Sequence, residues 1–277
     1  MSIKNIKDLS RLCIHTATTR PLPIEVTVEL YSKYGVKGIT LWREAYEEKK
    51  LSEIKRLISD RDLKIISICR GGFFPALSPE KRKIAIKENI RIIDEAYELG
   101  APLIVLVCGA IPEISLDDSR KQIEEGINEI KGYAESAGIK LGIEPLHPMY
   151  ADSRSAINTL KQANDICDRI NSKYIGVIID VYHLWWDPEL EKEIKRCGQM
   201  DKIFGFHISD WKSPTTDLLN DRGLMGEGCI PIKKIRGWVE SAGFDGFHEV
   251  EIFSNMRWKM NQELYIKEIV TSYLKYS

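Results

Sequence analysis

The feature that most constrains the fold is an alternation of short apolar runs with longer amphipathic segments, repeated about eight times. The apolar runs predict strands at 12–16, 38–42, 64–69, 103–108, 141–145, 176–180, 203–209 and 247–253. The segments between and after them predict helices at 23–34, 52–60, 79–99, 119–137, 153–170, 188–197, 232–242 and 262–276. Repeated strand–helix units predict a parallel sheet covered by helices. Eight units in roughly 250 residues predict an α/β fold, a closed (β/α)8 TIM barrel.

Local signals support the helix boundaries. A capping residue before proline predicts helix starts at Ser78-Pro79 and Asp187-Pro188, and Ser119 and Ser153 are two further candidate caps. Gly100, Gly138 and Gly243 follow predicted helices, where a left-handed residue is expected. A doubly wound sheet is the alternative, but the segment CIHTATTRPLP after the first strand lacks its glycine-rich fingerprint. With no linker or low-complexity tract in view, we expect one domain spanning residues 1–277.

Carboxylates and imidazoles lie at the ends of four apolar runs in the second half of the chain. These are Glu144 and His147 in LGIEPLH, Asp180 and His183 in IGVIIDVYH, His207 in IFGFHISD and Glu251 in HEVEIF. Burying such groups costs several kcal/mol unless they are paired or bind a metal. Strand alternation places them on the barrel-interior face, and the carboxyl ends of barrel strands form the catalytic face. Carboxylates with a histidine predict a site for a divalent metal.

Other residues near the strand ends are expected to be secondary. Glu249 shares its strand face with Glu251 and is a second candidate ligand, but it lies one layer deeper. His248 begins its strand and is predicted to be structural. His15 and Trp42 end the first two strands and predict pocket walls, as does Arg70 after the third. The segment RGGFFPAL that begins at Arg70 predicts a lid, because Gly71-Gly72 gives backbone freedom and Phe73-Phe74 would exclude water.

Composition excludes several classes of protein. The net charge of −1 provides no basic field for nucleic acid. No stretch reaches the roughly 18 apolar residues of a membrane helix, and the first ten residues show no signal peptide. The six cysteines include no CxxC pair, which predicts a reducing, cytoplasmic setting.

The segments IEPLHP, IIDVYH, FGFHISD and VEIF together resemble the sugar phosphate isomerase and epimerase superfamily with its xylose-isomerase-like barrel. This group includes ketose 3-epimerases, inosose isomerases and dehydratases, and more distantly endonuclease IV. The resemblance covers nearly the whole chain and implies that Glu144, Asp180, His207 and Glu251 bind the metal. It implies substrate contacts for His183, for Arg222 in DRGLMGEG and for His147. The segment WKSPTTDLLN separates Arg222 from the strand that carries His207, unlike in relatives.

The resemblance implies an isomerase or epimerase of a sugar or related hydroxy-carbonyl compound. One divalent ion (Mn²⁺, Mg²⁺, Co²⁺ or Zn²⁺) would stabilise an enediolate, with Glu144 and Glu251 as the acid–base pair. His183, Arg222, His147, His15 and Trp42 would contact a small-molecule sugar. Neither nucleic acid nor membrane is an expected partner, and a homodimer or homotetramer is implied. The alternatives are an inosose-type dehydratase at the same site, an endonuclease IV-like phosphodiesterase and a non-catalytic sugar-binding barrel.

Overall fold

Eight parallel strands close into a barrel in the computed structural model, which describes residues 5–277. The barrel strands are β1 (Leu12–His15), β2 (Gly38–Trp42), β3 (Lys64–Gly72), β4 (Leu103–Val107), β5 (Lys140–Ile143), β6 (Ile175–Asp180), β7 (Ile203–Ile208) and β10 (His248–Val250). Each pairs with its neighbours in chain order, and β10 closes the ring between β7 and β1. The predicted (β/α)8 barrel is therefore confirmed.

Helices follow the strands around the barrel. They are α1 (Ile24–Lys33), α2 (Leu51–Ser59), α3 (Pro79–Leu99), α4 (Leu116–Ala137), α5 (Leu160–Ile170), α6 (Val181–Leu184), α7 (Leu190–Gln199), α8 (Ile232–Ser241) and α9 (Gln262–Tyr276). Short 3₁₀ helices lie at Arg43–Ala45, Pro148–Tyr150 and Arg257–Lys259. No helix within residues 5–277 is long and apolar enough to cross a membrane.

One predicted helix start and three predicted helix ends agree with the structure. Ser78 accepts a hydrogen bond from the Lys81 amide at 3.3 Å, so it caps α3 as expected. Gly100 and Gly138 adopt the left-handed conformation after α3 and α4, and Gly243 also has a positive φ of 100°.

Three other predicted starts are wrong. Ser119 is buried inside α4, which Ser115 caps, and α7 begins at Leu190 instead of Pro188. The largest error concerns Ser153, because α5 begins only at Leu160. Thr159 and Gln162 form a capping box there, a pattern that is visible in the sequence. Residues 144–159 are consequently a long loop at the carboxyl end of β5.

The barrel interior is filled in a way that depends on two glycines. Ile178 of β6 is fully buried. A Cβ atom on Gly142 would lie 2.5 Å from Ile178 Cδ1, and one on Gly205 would lie 2.8 Å from the same atom. The predicted strand parity holds, since Gly142 and Gly205 face inward with Ile178. Two residues further along each strand lies a polar residue with the same orientation. These residues, which therefore also point into the barrel mouth, are Glu144, Asp180 and His207.

A short antiparallel ribbon covers one side of that mouth. Strand β8 (Asp210–Trp211) pairs with β9 (Arg222–Gly223) directly after β7. The Arg222 amide also donates to the Phe253 carbonyl at 3.0 Å. The intervening segment 212–221 thus loops out, and Arg222 returns to the barrel mouth.

Candidate active site at the carboxyl ends of the strands

The four predicted metal ligands converge. Glu144 follows β5, Asp180 ends β6, His207 lies in β7 and Glu251 follows β10. One nitrogen or oxygen from each lies within 4.8 Å of the others, and all four residues are buried. They come from consecutive barrel strands plus the closing strand, which explains why residues 107 positions apart in the sequence meet.

The orientation of two of these side chains fits a shared cation. His207 Nδ1 lies 2.9 Å from Glu144 Oε1. Within residues 5–277, however, neither atom has a hydrogen-bond partner, and His207 Nε2 has none either. Buried polar atoms are rarely left unsatisfied. Three carboxylates and an imidazole whose ligand atoms lie this close together, some of them unsatisfied, suit a divalent cation with oxygen and nitrogen ligands.

Glu249 is committed to a different network, one layer deeper. It accepts hydrogen bonds from Thr40 Oγ1 at 2.6 Å, His15 Nε2 at 3.2 Å and Ser67 Oγ at 3.4 Å. It is absent from the groups of described residues whose ligand atoms converge. The geometry therefore favours Glu251 over Glu249 as the ligand from this strand.

His15 lies beneath the site. His15, His207 and Glu251 form a second converging group. Nevertheless, both nitrogens of His15 already have carboxylate partners, Nε2 with Glu249 Oε2 at 3.2 Å and Nδ1 with Glu251 Oε1 at 3.0 Å. The four-residue group therefore fits a metal better. The contact of His15 Nδ1 with Glu251 helps to position that carboxylate.

Arg222 reaches the site despite the segment inserted before it. Its Nη1 lies 3.1 Å from Asp180 Oδ2 and 2.9 Å from Glu251 Oε2, and its Nη2 lies 3.0 Å from His183 Nε2. The guanidinium therefore donates to His183, which places the imidazole proton on Nδ1. Within residues 5–277 that Nδ1 has no partner, so it is a free donor beside the predicted ligands.

Burial and the neighbouring charges shift the pKa values of two site carboxylates in opposite directions. Burial favours protonation of Glu251, but His15 and Arg222 outweigh it and keep the pKa of Glu251 well below its usual range. Burial, opposed by Arg222 and reinforced by Glu251 and Glu144, raises the pKa of Asp180 to about 6. Burial and the charge of Arg222 hold the pKa of His183 well below its usual value. Glu251 is thus ionised and His183 neutral at physiological pH.

A small cavity opens onto these groups. Its free volume is about 30 Å³, which is room for about two water molecules. It is lined by Trp42, Arg70, Val107, Glu144, Leu146, Tyr150, Arg154, His183, Leu219, Arg222, Glu251 and Phe253. A sugar can enter only if side chains at the mouth move. Arg70 also lines an adjoining cavity of about 390 Å³.

Of the five residues predicted to contact substrate, three line the cavity and two are not among its described lining residues. Trp42, His183 and Arg222 line the cavity. His15 and His147 are not among its described lining residues. His147 Nδ1 instead accepts from the Met149 amide at 3.2 Å, and its ring lies beside Trp186 and Trp211. His248, predicted to be structural, lies 3.0 Å from the Tyr273 hydroxyl, away from the cavity.

Residues of the loop after β5 were missed. Tyr150 and Arg154 line the cavity; Arg154 falls within the helix predicted at 153–170, and Tyr150 precedes that helix but was not a candidate residue. The Thr159–Gln162 capping box is the signal that would have left Arg154 in the loop.

The predicted lid is wrong for Phe74 and stays a prediction for Phe73. Phe74 is buried, with its amide bonded to the Cys108 carbonyl at 3.0 Å, so it is a fixed core residue. Phe73 is exposed.

Comparison with known proteins identifies the group to which this barrel belongs. The family model described as "Xylose isomerase-like TIM barrel" matches residues 28–273. The chain belongs to this family. Inosose isomerase from Bacillus velezensis is 23% identical to it over 93% of each chain. With a relative of this kind along nearly its whole length, this xylose isomerase-like barrel is an enzyme.

Two solved structures are also similar to this xylose isomerase-like barrel. A protein from Sinorhizobium meliloti 1021 is 44% identical, with a TM-score of 0.94, over 97% of this chain and 99% of its own. The IolI protein, solved with a bound zinc atom, is 23% identical with a TM-score of 0.83, over 96% of this chain and 99% of its own. The second likeness supports the fold.

Proposed function

We propose that this enzyme is a divalent-metal-dependent isomerase or epimerase of a sugar or a related hydroxy-carbonyl compound. The observation that carries the proposal is the convergence of Glu144, Asp180, His207 and Glu251, with Glu144 Oε1 and both nitrogens of His207 lacking partners within residues 5–277. The naming of a relative as inosose isomerase supports the reaction class. The zinc bound in the IolI structure supports a divalent metal.

The proposed ligands are Glu144, Asp180, His207 and Glu251, whose oxygens and nitrogen suit Mn²⁺, Mg²⁺, Co²⁺ or Zn²⁺. When bound, the ion would polarise the substrate carbonyl and stabilise the negative charge of the enediolate. The backbone just after Asp180 orients this carboxylate toward the site, because Asp180 Oδ1 accepts from the Tyr182 amide at 2.8 Å. Its Oδ2 is then left to face Arg222 and the site.

Proton transfer is assigned to Glu144 and Glu251. They follow strands β5 and β10, which are separated by β6 and β7 in the ring, so the two carboxylates approach the cavity from different sides. One carboxylate removes the proton from the carbon next to the carbonyl, and the C–H electrons form the enediolate. Return of a proton to the neighbouring carbon gives an isomer, and return to the opposite face of the same carbon gives an epimer.

Three neighbouring groups would support the reaction. The free Nδ1–H of His183 is a donor for a substrate oxygen. Arg222 keeps Glu251 ionised through its 2.9 Å contact, which retains Glu251 as a proton acceptor. Trp42 would shield the reacting atoms from water on one side of the cavity, because its indole lies 5.1 Å from the Phe253 ring.

Exchange of substrate hydrogen with deuterated solvent tests the proposal. Enzyme loaded with Mn²⁺ is incubated in deuterated buffer with inososes and ketoses, and proton NMR follows loss of the signal next to the carbonyl. We expect exchange in the native enzyme and none in Glu144→Gln or Glu251→Gln. Asp62→Asn is the control, because Asp62 is an exposed carboxylate that pairs with Lys37 and does not line the cavity.

Two results would count against the proposal. Unchanged exchange in both glutamine variants would contradict the assignment of the acid–base pair. A product lighter than its substrate by one water would identify a dehydratase instead.

A further inference from the structure

Two arginines at the mouth of the cavity lack acidic partners. Arg70 lies in β3 and Arg154 lies in the loop after β5, and both line the same cavity as Glu144 and Glu251. Both are half-buried. Within residues 5–277, neither guanidinium forms an ion pair or donates a hydrogen bond. Every other described arginine that is buried or half-buried has a carboxylate partner: Arg11, Arg43, Arg82, Arg120, Arg196, Arg222, Arg236 and Arg257.

Aromatic rings hold both guanidiniums in place. The Cζ atom of Arg70 lies 4.9 Å from the centre of the Phe73 ring and 5.6 Å from that of Trp42. The Cζ atom of Arg154 lies 5.6 Å from the centre of the Tyr150 ring. Stacking covers the face of a guanidinium and leaves its in-plane N–H donors available. The two side chains are therefore positioned cations whose hydrogen-bonding capacity is unused.

The backbone brings the two loops together. The Phe73 amide donates to the Val107 carbonyl at 2.9 Å, and the Gly109 amide donates to the Arg154 carbonyl at 2.8 Å. Gly109 has a φ of 92°, and a Cβ atom there would lie 2.8 Å from Phe73 Cα. The end of β4 thus ties the loop of Arg70 to the loop of Arg154, and a glycine allows their close approach.

This arrangement concentrates positive charge at one place. Burial, and then the charges of Arg70 and Arg222, lower the pKa of Arg154. Arg222 is already neutralised by Asp180 and Glu251, so it does not compete for a further anion. Like charges in a partly buried mouth repel each other, and an anion with two or more oxygens would remove that repulsion.

We propose that Arg70 and Arg154 form a subsite for a carboxylate or phosphate group of the substrate, so that the enzyme acts on an acidic hydroxy-carbonyl compound in preference to a neutral sugar. The inference rests on the proposed function, because it places the anionic group on the molecule whose carbonyl end faces Glu144 and Glu251. The aromatic contacts hold the two guanidiniums at the cavity mouth, and their unpaired N–H groups supply donors for the oxyanion.

Three six-carbon ketoses test the subsite: D-fructose, D-fructuronate and D-fructose 6-phosphate. Their binding to the Mn²⁺-loaded enzyme is measured by titration calorimetry at low ionic strength. We expect at least one anionic probe to bind roughly tenfold or more tightly than fructose, because a charge-assisted hydrogen bond contributes that much. Tighter binding of fructuronate assigns a carboxylate, and tighter binding of the phosphate assigns a phosphate. The preference should weaken as salt is added.

Variants separate the subsite from the rest of the site. In the Arg70→Gln, Arg154→Gln double variant, the preference for the anionic probe should disappear while fructose affinity changes less than about threefold. The double lysine variant, which keeps the charge, should retain part of the preference and reports on folding. Arg20→Gln is the matched control, because Arg20 is also stacked on an aromatic ring, Trp258, but does not line this cavity.

The outcomes distinguish this inference from the proposed function. Equal binding of all three probes, no binding of either anion, or a preference that survives in the glutamine double variant would overturn the subsite. Anion preference that is lost in that variant supports the subsite even if no probe exchanges hydrogen with solvent, a result that would count against the proposed function alone. Hydrogen exchange in fructose without any preference for the anionic probes would support the proposed function and overturn the subsite.

Discussion

His207 Nδ1 lies 2.9 Å from Glu144 Oε1, and neither atom has a hydrogen-bond partner within residues 5–277. Two buried polar atoms this close would normally share a proton along a good hydrogen-bond direction. Both residues belong to the group Glu144, Asp180, His207 and Glu251, whose ligand atoms lie within 4.8 Å of one another, and this fits joint coordination of a cation.

The two glutamates of the last strand should respond differently to substitution. Glu249→Gln should retain the metal but lower the free energy of unfolding by about 1–3 kcal/mol, because Glu249 accepts three buried hydrogen bonds. Glu251→Gln should weaken metal binding by about tenfold or more, since it removes a charged oxygen ligand. Metal titration and urea denaturation measure the two effects. Loss of the metal in Glu249→Gln, with retention in Glu251→Gln, would reverse the assignment.

His248 should make stability depend on pH. Burial lowers the pKa of His248, and Glu240 offsets this only in part. The unfolded chain therefore binds a proton near pH 6.5 that the folded chain resists, and stability falls as the pH drops below that value. One such group contributes at most about 1.4 kcal/mol per pH unit.

His248→Gln should be less stable than the native protein at pH 7.5, because the 3.0 Å contact with the Tyr273 hydroxyl is altered. Its unfolding free energy should decline less steeply between pH 7 and pH 5. Urea denaturation across this range measures both slopes, and the remaining histidines are common to both proteins. Parallel slopes would show that His248 does not resist protonation.

The glycines around Ile178 should be intolerant of a side chain. Gly142→Ala places a Cβ atom 2.5 Å from Ile178 Cδ1, and overpacking of this kind costs about 1–3 kcal/mol. Adding Ile178→Val removes the Cδ1 atom and should recover part of the loss.

Gly132→Ala in α4 is the matched control, because nothing lies within 4 Å of its added Cβ atom. It should stabilise the helix by about 0.5–1 kcal/mol. Denaturation of the four proteins gives the comparison. Equal destabilisation by Gly142→Ala and Gly132→Ala would show that Ile178 does not fill the barrel as described.

Sequence periodicity predicted the barrel because its signal is local. Each strand of a closed parallel sheet is an apolar run, and alternation along it separates inward from outward residues. That rule placed Gly142, Ile178 and Gly205 on the inner face. It placed the polar residues that follow them by two positions on the same face, nearer the mouth: Glu144, Asp180 and His207.

The loop after β5 could not be predicted in the same way. Its course depends on the hydrogen bonds of Gly109 with Arg154 and Ala156, which join residues 45 or more positions apart. The same holds for Arg222, whose return to the site depends on the β8–β9 ribbon and on the carbonyl of Phe253. Contacts between loops of different strands have no periodic signature in the sequence.

Metal content tests the central claim most directly. The protein is purified without a metal-affinity tag, dialysed, offered Mn²⁺, Co²⁺ or Zn²⁺ in turn, dialysed again and examined by elemental analysis. We predict about one divalent ion per chain in the native protein and none in Asp180→Ala, which removes a buried central ligand. A native protein that retains none of these ions, or an Asp180→Ala variant that retains them fully, would contradict the account.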